Sequence, residues 1–320
     1  MDHPLVTIGL TAFNAEDTVE RAVTSAIAQT WRPIEVIAAD DCSTDATPDL
    51  LRRLAERHPE LRVITNTENI GVGANRNRII DEAQGEYVAF FDDDDVSVPD
   101  RIARQIDRIR TYERWFADGA PVICHSARRV IYPGGTERVE RTMGEREGKS
   151  APSGLAVAHR ILLGTPVKDA YGACPTCSQM ARLSTYRSIG GFDPLLRRSE
   201  DTDFNIRLAA AGGHFVGISD PLVIQRMTRT PDKSLRDEHE HMMRLLAKHR
   251  PIIEEVGQLD FCMRWIEVKH AFLDRRHLAF AQLTASLAID HPALVIRRMA
   301  AGIRNFVLNH RLGRFHNGRA

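Results

Sequence analysis

The stretch Tyr87-Val88-Ala89-Phe90-Phe91-Asp92-Asp93-Asp94-Asp95 decides the fold: an apolar strand that ends abruptly in four carboxylates. Two carboxylates about 6 Å apart repel by about 1 to 3 kcal/mol as the effective dielectric falls from 80 to 20. Four of them at the end of a buried strand therefore cost stability, and a cation reverses the sign. Asp92 and Asp94, spaced Asp-x-Asp, supply hard oxygen ligands of the kind Mg2+ or Mn2+ takes when it also holds a diphosphate. The competing reading is an acidic loop that caps the next helix, for which Pro99 is a suitable first-turn residue. That reading accounts for one aspartate and leaves three unexplained.

Upstream of this strand, two hydrophobic periods alternate. Leu5 to Leu10 reads as a buried strand, and Glu16 to Thr30 has helical spacing at Val19, Ala22, Val23, Ala26 and Ile27. Ile34 to Ala39 is a second strand and Thr47 to His58 a second helix. Arg62 to Thr65 and Gly73 to Ala83 repeat the pair, and Glu86 to Phe91 is the fourth strand. This βαβαβαβ order predicts an α/β fold, a mostly parallel Rossmann-like sheet flanked by helices. Such sheets bind ligands at the carboxyl ends of their strands. Those ends carry Thr11-Ala12-Phe13-Asn14, Asp40-Asp41 and the aspartate run, so three polar clusters converge on one rim.

Residues 100 to 114 read as a helix. Residues 117 to 170 are less regular, with a strand at Val122 to His125 and a mobile loop from Gly134 to Pro152. Order returns at Ser178 to Leu183, a helix runs to Ala211, and His214 to Ile218 and Leu222 to Met227 read as two short strands. From Ser234 the chain reads as an all-helical extension. Acidic and basic residues balance at 43 each, so overall charge implies no nucleic-acid partner. The start Met-Asp-His-Pro is unlike a signal peptide, and no stretch approaches the roughly 18 apolar residues of a membrane span. The expectation is a cytoplasmic enzyme. Five cysteines form no disulfide framework. Cys174-Pro175-Thr176-Cys177 has redox spacing without the strand–helix setting of a thioredoxin site, which leaves structural thiols.

Seven segments, in this order and spacing, resemble glycosyltransferase family 2, the inverting GT-A enzymes that use nucleotide-sugars. They are Thr11-Ala12-Phe13-Asn14; Ser25 with Gln29-Thr30; Asp40-Asp41-Cys42-Ser43-Thr44-Asp45; and Asn69-Ile70-Gly71 with Arg76-Asn77. Asp92 to Asp95 with Pro99-Asp100-Arg101, Gly190-Gly191-Phe192-Asp193, and Glu200-Asp201 with Asp203 complete the series. The resemblance covers about residues 4 to 230. It implies a GT-A domain over 1–232, with a nucleotide-binding half (1–116) and an acceptor-binding half (117–232), followed by a helical extension over 233–320.

The resemblance implies roles as well. Asp94 ligates Mg2+ or Mn2+ and Asp92 supports it; Asp93 touches the ribose. Asp41 accepts the uracil N3–H, Phe13 lies by the base, and Thr11, Ala12 and Asn14 line the same pocket. Arg76 faces the diphosphate, or else is a solvated helix arginine. Asp201 is the base that deprotonates the acceptor hydroxyl, Glu200 orients it, and Asp203 helps cap the helix. Helix capping is the alternative for this whole acidic stretch. The implied partners are a UDP-sugar donor and a glycan or lipid-linked acceptor.

One segment departs from the family. Where many relatives carry Tyr-Arg-x-His, this chain reads Gln225-Arg226-Met227-Thr228-Arg229, so Thr228 replaces the histidine and Arg229 is a substitute charge. A Gln-x-x-Arg-Trp processive signature is absent, which favours single-sugar transfer. In the extension, Phe261, Trp265, Val268, Phe272, Phe280, Leu283 and Leu287 have helical spacing for a core or a homodimer contact. Residues 293–320 read as a basic amphipathic helix able to touch the inner face of a membrane. Two other readings share these residues. A sugar nucleotidyltransferase needs a Gly-rich phosphate loop that Thr11 to Asn14 lacks. A non-catalytic binding module has no need of both Asp94 and Asp201.

Overall fold

The structure, a computed structural model, describes residues 3–227 and 235–309. The chain divides into two compact units, residues 1–161 with 165–228, and 162–164 with 229–320. The boundary expected at residue 232 lies outside the described residues, as do Thr228 and Arg229.

In the first unit, β1 (Val6–Ala12), β2 (Ile34–Asp40), β3 (Leu61–Thr65) and β4 (Tyr87–Asp92) form a parallel half-sheet in the order β3-β2-β1-β4. Every residue of β1 is buried, as expected of a strand covered on both faces. Helices α1 (Val19–Ile27), α2 (Thr47–Ala55) and α3 (Val72–Glu82) are the intervening crossovers. The register sets Thr11 beside both Ala39 and Asp92, and Ala12 beside Asp40. The ends of β1, β2 and β4 thus lie level, as the rim expected from sequence requires.

Beyond β4 the sheet is mixed. It continues through β8 (Gln179–Arg182), β6 (Val122–Ile131) and β9 (His214–Arg226) to the two-residue β5 (Val96–Ser97). β8 runs antiparallel to β4 and β6, whereas β6 and β9 are parallel. Helix α4 (Arg101–Tyr112) continues into a π-helical turn, Glu113–Ala117. Arg101 is fully buried. It donates to the carbonyls of Phe90 (2.9 Å) and Gln179 (3.4 Å), to Ser97 Oγ (2.9 Å) and to Gln105 Oε1 (3.0 Å). Its guanidinium lies 4.3 Å from the Phe91 ring centre. The arginine after Pro99-Asp100 therefore bolts β4 to β8 beneath the aspartate run.

Three expectations change. The segment from Gly134 to Pro152 is a packed element and not an open loop: β7 (Glu137–Glu140) pairs with β6, and Thr142 and Met143 are buried. Arg108 donates to the carbonyls of Gly144 (3.1 Å) and Arg146 (3.0 Å). Gly144 has φ 74°, and a Cβ there would come within 1.9 Å of the Phe215 carbonyl oxygen, so only glycine fits. Helix α5 (Gly154–Leu163) lies in the stretch that read as irregular, and α6 (Leu183–Ile189) fills one left unassigned. The two short strands at 214 and 222 are one long strand, β9, which bulges against β6 between Ser126 and Arg128. Helix α7 (Glu200–Ala210) precedes it.

The second unit holds α8 (Leu235–Lys248), α9 (Arg250–Glu254), α10 (Leu259–Leu273), α11 (His277–Asp290) and α12 (Pro292–Asn309). Phe261, Val268 and Leu287 are buried in it, whereas Phe272 and Leu283 are exposed. Only part of the apolar stripe is therefore core. In α12, Val295 is buried and Ile296 exposed. Among the described residues, no helix is long and apolar enough to cross a membrane.

Candidate active site

The rim is built by loops that latch one another. After β1, Asn14 takes the left-handed conformation (φ 48°). Its N–H donates to Ser43 Oγ (2.9 Å), and its side-chain oxygen accepts from the Thr44 N–H (2.9 Å). Glu16 N–H donates to Asp45 Oδ2 (3.1 Å), and Ala46 N–H donates to Glu16 Oε2 (2.9 Å). Two segments that look independent in sequence thus share one hydrogen-bond net. Thr11 and Ala12 are buried at its floor, and Phe13 stands 48% exposed at its edge.

Asp41 is placed differently from the role expected of it. Its Oδ1 accepts from Asn66 Nδ2 (2.7 Å) and the Ile70 N–H (2.9 Å), and its Oδ2 from the Gly71 N–H (2.9 Å). The buried carboxylate is committed to the loop before α3 and is not presented to a base. At the tip of β2, Asp40 Oδ1 has no donor among the described residues, and Asp40 Oδ2 accepts from the Ser43 N–H (3.2 Å). Asp41→Ala removes three charge-assisted hydrogen bonds of about 1.5–3 kcal/mol each before relaxation. The expected net loss of stability is about 3 kcal/mol, read by urea denaturation. A loss below about 1 kcal/mol would show that Asp41 does not anchor this loop.

The aspartate run follows directly on β4. Asp93 Oδ2 accepts from the Phe13 N–H (3.0 Å), which ties the run to the loop after β1. Desolvation pushes the Asp93 carboxyl up to about 7; the Phe13 N–H opposes the rise, and the charges of Asp94 and Asp92 add to it. The Asp94 carbonyl accepts from Arg21 (2.9 Å). Asp95, which read as an ordinary residue leading into the next helix, is 4% exposed. Desolvation, with Asp92 and Asp94 beside it, pushes its carboxyl up to about 8. Its Oδ2 accepts from Gln225 (3.4 Å), whose own Oε1 accepts from Arg128 (2.6 Å).

Arg76 joins the run to α7. It is buried, and it donates to Glu200 Oε1 (2.7 Å) and to Asp92 Oδ1 (3.2 Å), with its guanidinium 5.5 Å from the Phe192 ring centre. It is therefore neither a solvated arginine nor one turned outward to a diphosphate. Burial works to raise the Glu200 carboxyl, Arg76 opposes it, and the net shift is upward. Asp201 Oδ1 accepts from the Thr202 N–H (2.6 Å), as an acid in a first helical turn does. Asp203 is fully buried against Arg207, which donates to the carbonyls of Ile189 and Gly191. Asp203 thus fastens α7 to the turn after α6. Asn77 completes the joint: its Nδ2 donates to the Phe192 carbonyl (2.7 Å), and its Oδ1 accepts from the Phe192 N–H (2.7 Å). A Cβ on Gly191 (φ 64°) would lie 2.4 Å from Asn77 Oδ1, so the Gly-Gly-Phe turn needs that glycine.

The structure therefore gathers Thr11, Ala12, Phe13, Asn14, Asp92 and Asp93 with Arg76 and Glu200, and it turns Asp41 away. Sequence reasoning gave Asp40, Asp95 and Gln225 no role of their own at this rim. The cue for Asp95 was present: a fourth consecutive aspartate after a buried strand.

Comparison with known proteins bears on this arrangement. The family model "Glycosyl transferase family 2" matches residues 7–163. The succinoglycan biosynthesis protein ExoO of Rhizobium meliloti is 43% identical over 105 residues, which are 33% of this chain and 30% of that protein. Escherichia coli WfaP, a UDP-Glc:alpha-D-GlcNAc-diphosphoundecaprenol beta-1,3-glucosyltransferase, is 36% identical over 113 residues, 35% of this chain and 44% of that protein. The chain thus spans less than half the length of these relatives. Among solved structures, Staphylococcus aureus TarS 1-349 in complex with UDP-GlcNAc superposes with a TM-score of 0.59 at 17% identity, covering 88% of this chain and 80% of that one. The mannosyltransferase PcManGT of Pyrobaculum calidifontis, solved with GDP-Man and Mn2+, gives 0.55 at 19% identity, covering 96% and 81%. These two likenesses establish the GT-A fold. With the match across residues 7–163, that part of the chain is a glycosyl transferase family 2 domain.

Proposed function

We propose that this chain is a Mg2+- or Mn2+-dependent inverting glycosyltransferase. It moves one sugar from a nucleotide-sugar, a UDP-sugar first, to a hydroxyl of a glycan or lipid-linked glycan. The observation that carries this reading is Arg76, buried between Asp92 and Glu200. It fixes the carboxylates suited to a donor diphosphate against the helix that begins with Glu200 and Asp201, so both halves of a transfer reaction belong to one site.

The residues fit a hard divalent cation. Asp92, Asp93, Asp94 and Asp95 are consecutive, and crowding and burial hold two of their carboxyls far above the ordinary range, a cost that a cation relieves. Asp92 and Asp94 would hold it, and such an ion offsets the charge that gathers on a diphosphate leaving group. The chain's own groups do the rest. Asp93, tied to the Phe13 N–H, sets the loop that borders the nucleoside. Asp40, fully buried at the tip of β2, accepts from the Ser43 N–H and so steadies the loop after that strand. Asp201 keeps Oδ1 on Thr202 and takes the acceptor hydroxyl proton on Oδ2. The acceptor oxygen then bonds to the anomeric carbon as the bond from that carbon to the diphosphate breaks, and the leaving oxygen keeps the electron pair. Arg76 and Glu200 hold the two sides in register. The donor named for WfaP favours UDP.

A thermal-shift panel of UDP-, dTDP- and GDP-sugars with Mn2+ tests the donor. Asp94→Ala is expected to weaken Mn2+ binding, measured calorimetrically, at least about tenfold, and to remove the Mn2+-dependent release of UDP. Unchanged Mn2+ binding in this variant would defeat the assignment.

A further inference from the structure

A second donor set lies under the first. Asp92, Asp95 and Cys177 each place one ligand atom within 4.8 Å of the others. Asp95 and Cys177 are 4% and 2% exposed, and Cys177 is a free thiol. No donor among the described residues reaches Asp95 Oδ1. The arginines nearby do not supply one. The hydrogen bonds of Arg101 go to Phe90, Gln179, Ser97 and Gln105, and Arg128 reaches Asp95 only through Gln225. The Asp95 carboxyl thus has one buried oxygen without a donor, Gln225 on the other, and the Cys177 thiol close enough to hydrogen-bond it; a divalent cation would take the place of that thiol proton.

We infer that Asp92, Asp95 and Cys177 form a thiolate-containing site for a divalent cation of the Zn2+ class. The donor set selects the ion. A thiolate suits Zn2+ and its heavier analogue Cd2+, and it disfavours Mg2+. Around a tetrahedral Zn2+, with Zn–S of about 2.3 Å and Zn–O of about 2.1 Å, ligand atoms lie about 3.4–3.6 Å apart. The three atoms need to close by at most about 1.4 Å, within reach of side-chain rotation. Binding releases the thiol proton to solvent as the metal–sulfur bond forms. Three protein ligands leave a fourth position open.

The site has a consequence for the proposed activity. Asp92 belongs to both donor sets, so Zn2+ held by Asp95 and Cys177 draws Asp92 away from the position suited to Mg2+ or Mn2+. The inhibition expected from Zn2+ rests on the proposed function, whereas the binding itself does not.

Titration of the full chain with Cd2+ tests the binding through the ultraviolet charge-transfer absorption of a Cd2+–thiolate bond. The expected result is one equivalent of Cd2+ giving this band in the parent chain and in Asp94→Ala. Cys177→Ser loses the band, and Asp95→Asn shifts its midpoint at least about tenfold to higher Cd2+. Near-ultraviolet circular dichroism confirms that each variant is folded. A parent chain without the band overturns the site. So does a band that survives in Cys177→Ser, which assigns it to another cysteine, or an unshifted midpoint in Asp95→Asn. Loss of the band in Asp94→Ala overturns the distinction between the two sites. Failure of the glycosyltransferase reading would leave all of these absorbances as expected.

Discussion

Replacing Asp201 by asparagine is expected to lower transfer to the acceptor by about 100- to 10,000-fold, the range a positioned general base contributes, with donor binding intact. The substitution keeps shape and the Oδ1 acceptor, so the 2.6 Å contact with the Thr202 N–H at the start of α7 can persist. What is lost is the second oxygen's capacity to take a proton. The acceptor hydroxyl then attacks while still protonated, or gives its proton to water. Donor binding does not pass through this oxygen, so the midpoint of thermal stabilisation by nucleotide-sugar and Mn2+ should match the parent's. The decisive comparison is the rate of sugar transfer against that midpoint, in the same preparation. Full transfer by Asp201→Asn would remove it as the base and leave the helix-capping role. A parallel fall in donor binding would mean that the variant disturbs the Arg76 joint and does not isolate the base.

The half of the fold that was legible is the half in which neighbours in sequence are neighbours in space. β1, β2 and β4 read correctly because each is a run of five or more buried residues followed by a periodic helix. Beyond β4 the cues weaken for physical reasons. β8 has only four residues and α6 seven, too short for a period to show. β9 contains Asp220 and Pro221 near its bulge, so one strand reads as two. The segment around Gly144 is held by Arg108, whose long side chain donates to backbone carbonyls. Such contacts leave no mark in hydrophobic patterning.

The candidate site divides in the same way. The spacing of the motifs named Thr11 to Asn14, Asp92 to Asp94 and Glu200-Asp201 without any structure. Their latching was hidden. Asn14 holds Ser43 and Thr44, and Asn77 holds Phe192 over a separation of 115 residues. The sequence shows that these residues occur together and not that they bond. Asp41 and Asp40 are adjacent and chemically alike, so only the three donors around Asp41 tell them apart. Asp95 acquires its character from Gln225, 130 residues away.

Arg76→Met is expected to be the most destabilising single change at the rim, by about 3–5 kcal/mol in urea denaturation, because it strands buried charge. The Arg76 side chain is 5% exposed, and its partner Glu200 is 12% exposed. Methionine fills much of the volume and keeps contact with Phe192, so cavity formation contributes little and the electrostatic cause is isolated. Without the guanidinium, Glu200 loses the main influence that opposes its desolvation, and its carboxyl rises further. A carboxyl raised in the folded chain binds a proton that the unfolded chain has released, so stability falls as pH rises through that window. The deficit of Arg76→Met should therefore be smaller at about pH 5 than at about pH 8. Adding Glu200→Gln to Arg76→Met removes the stranded charge and should restore part of the loss. A single variant within about 1 kcal/mol of the parent, or a double variant no better than the single, would show that Arg76 is not the electrostatic joint between Asp92 and α7.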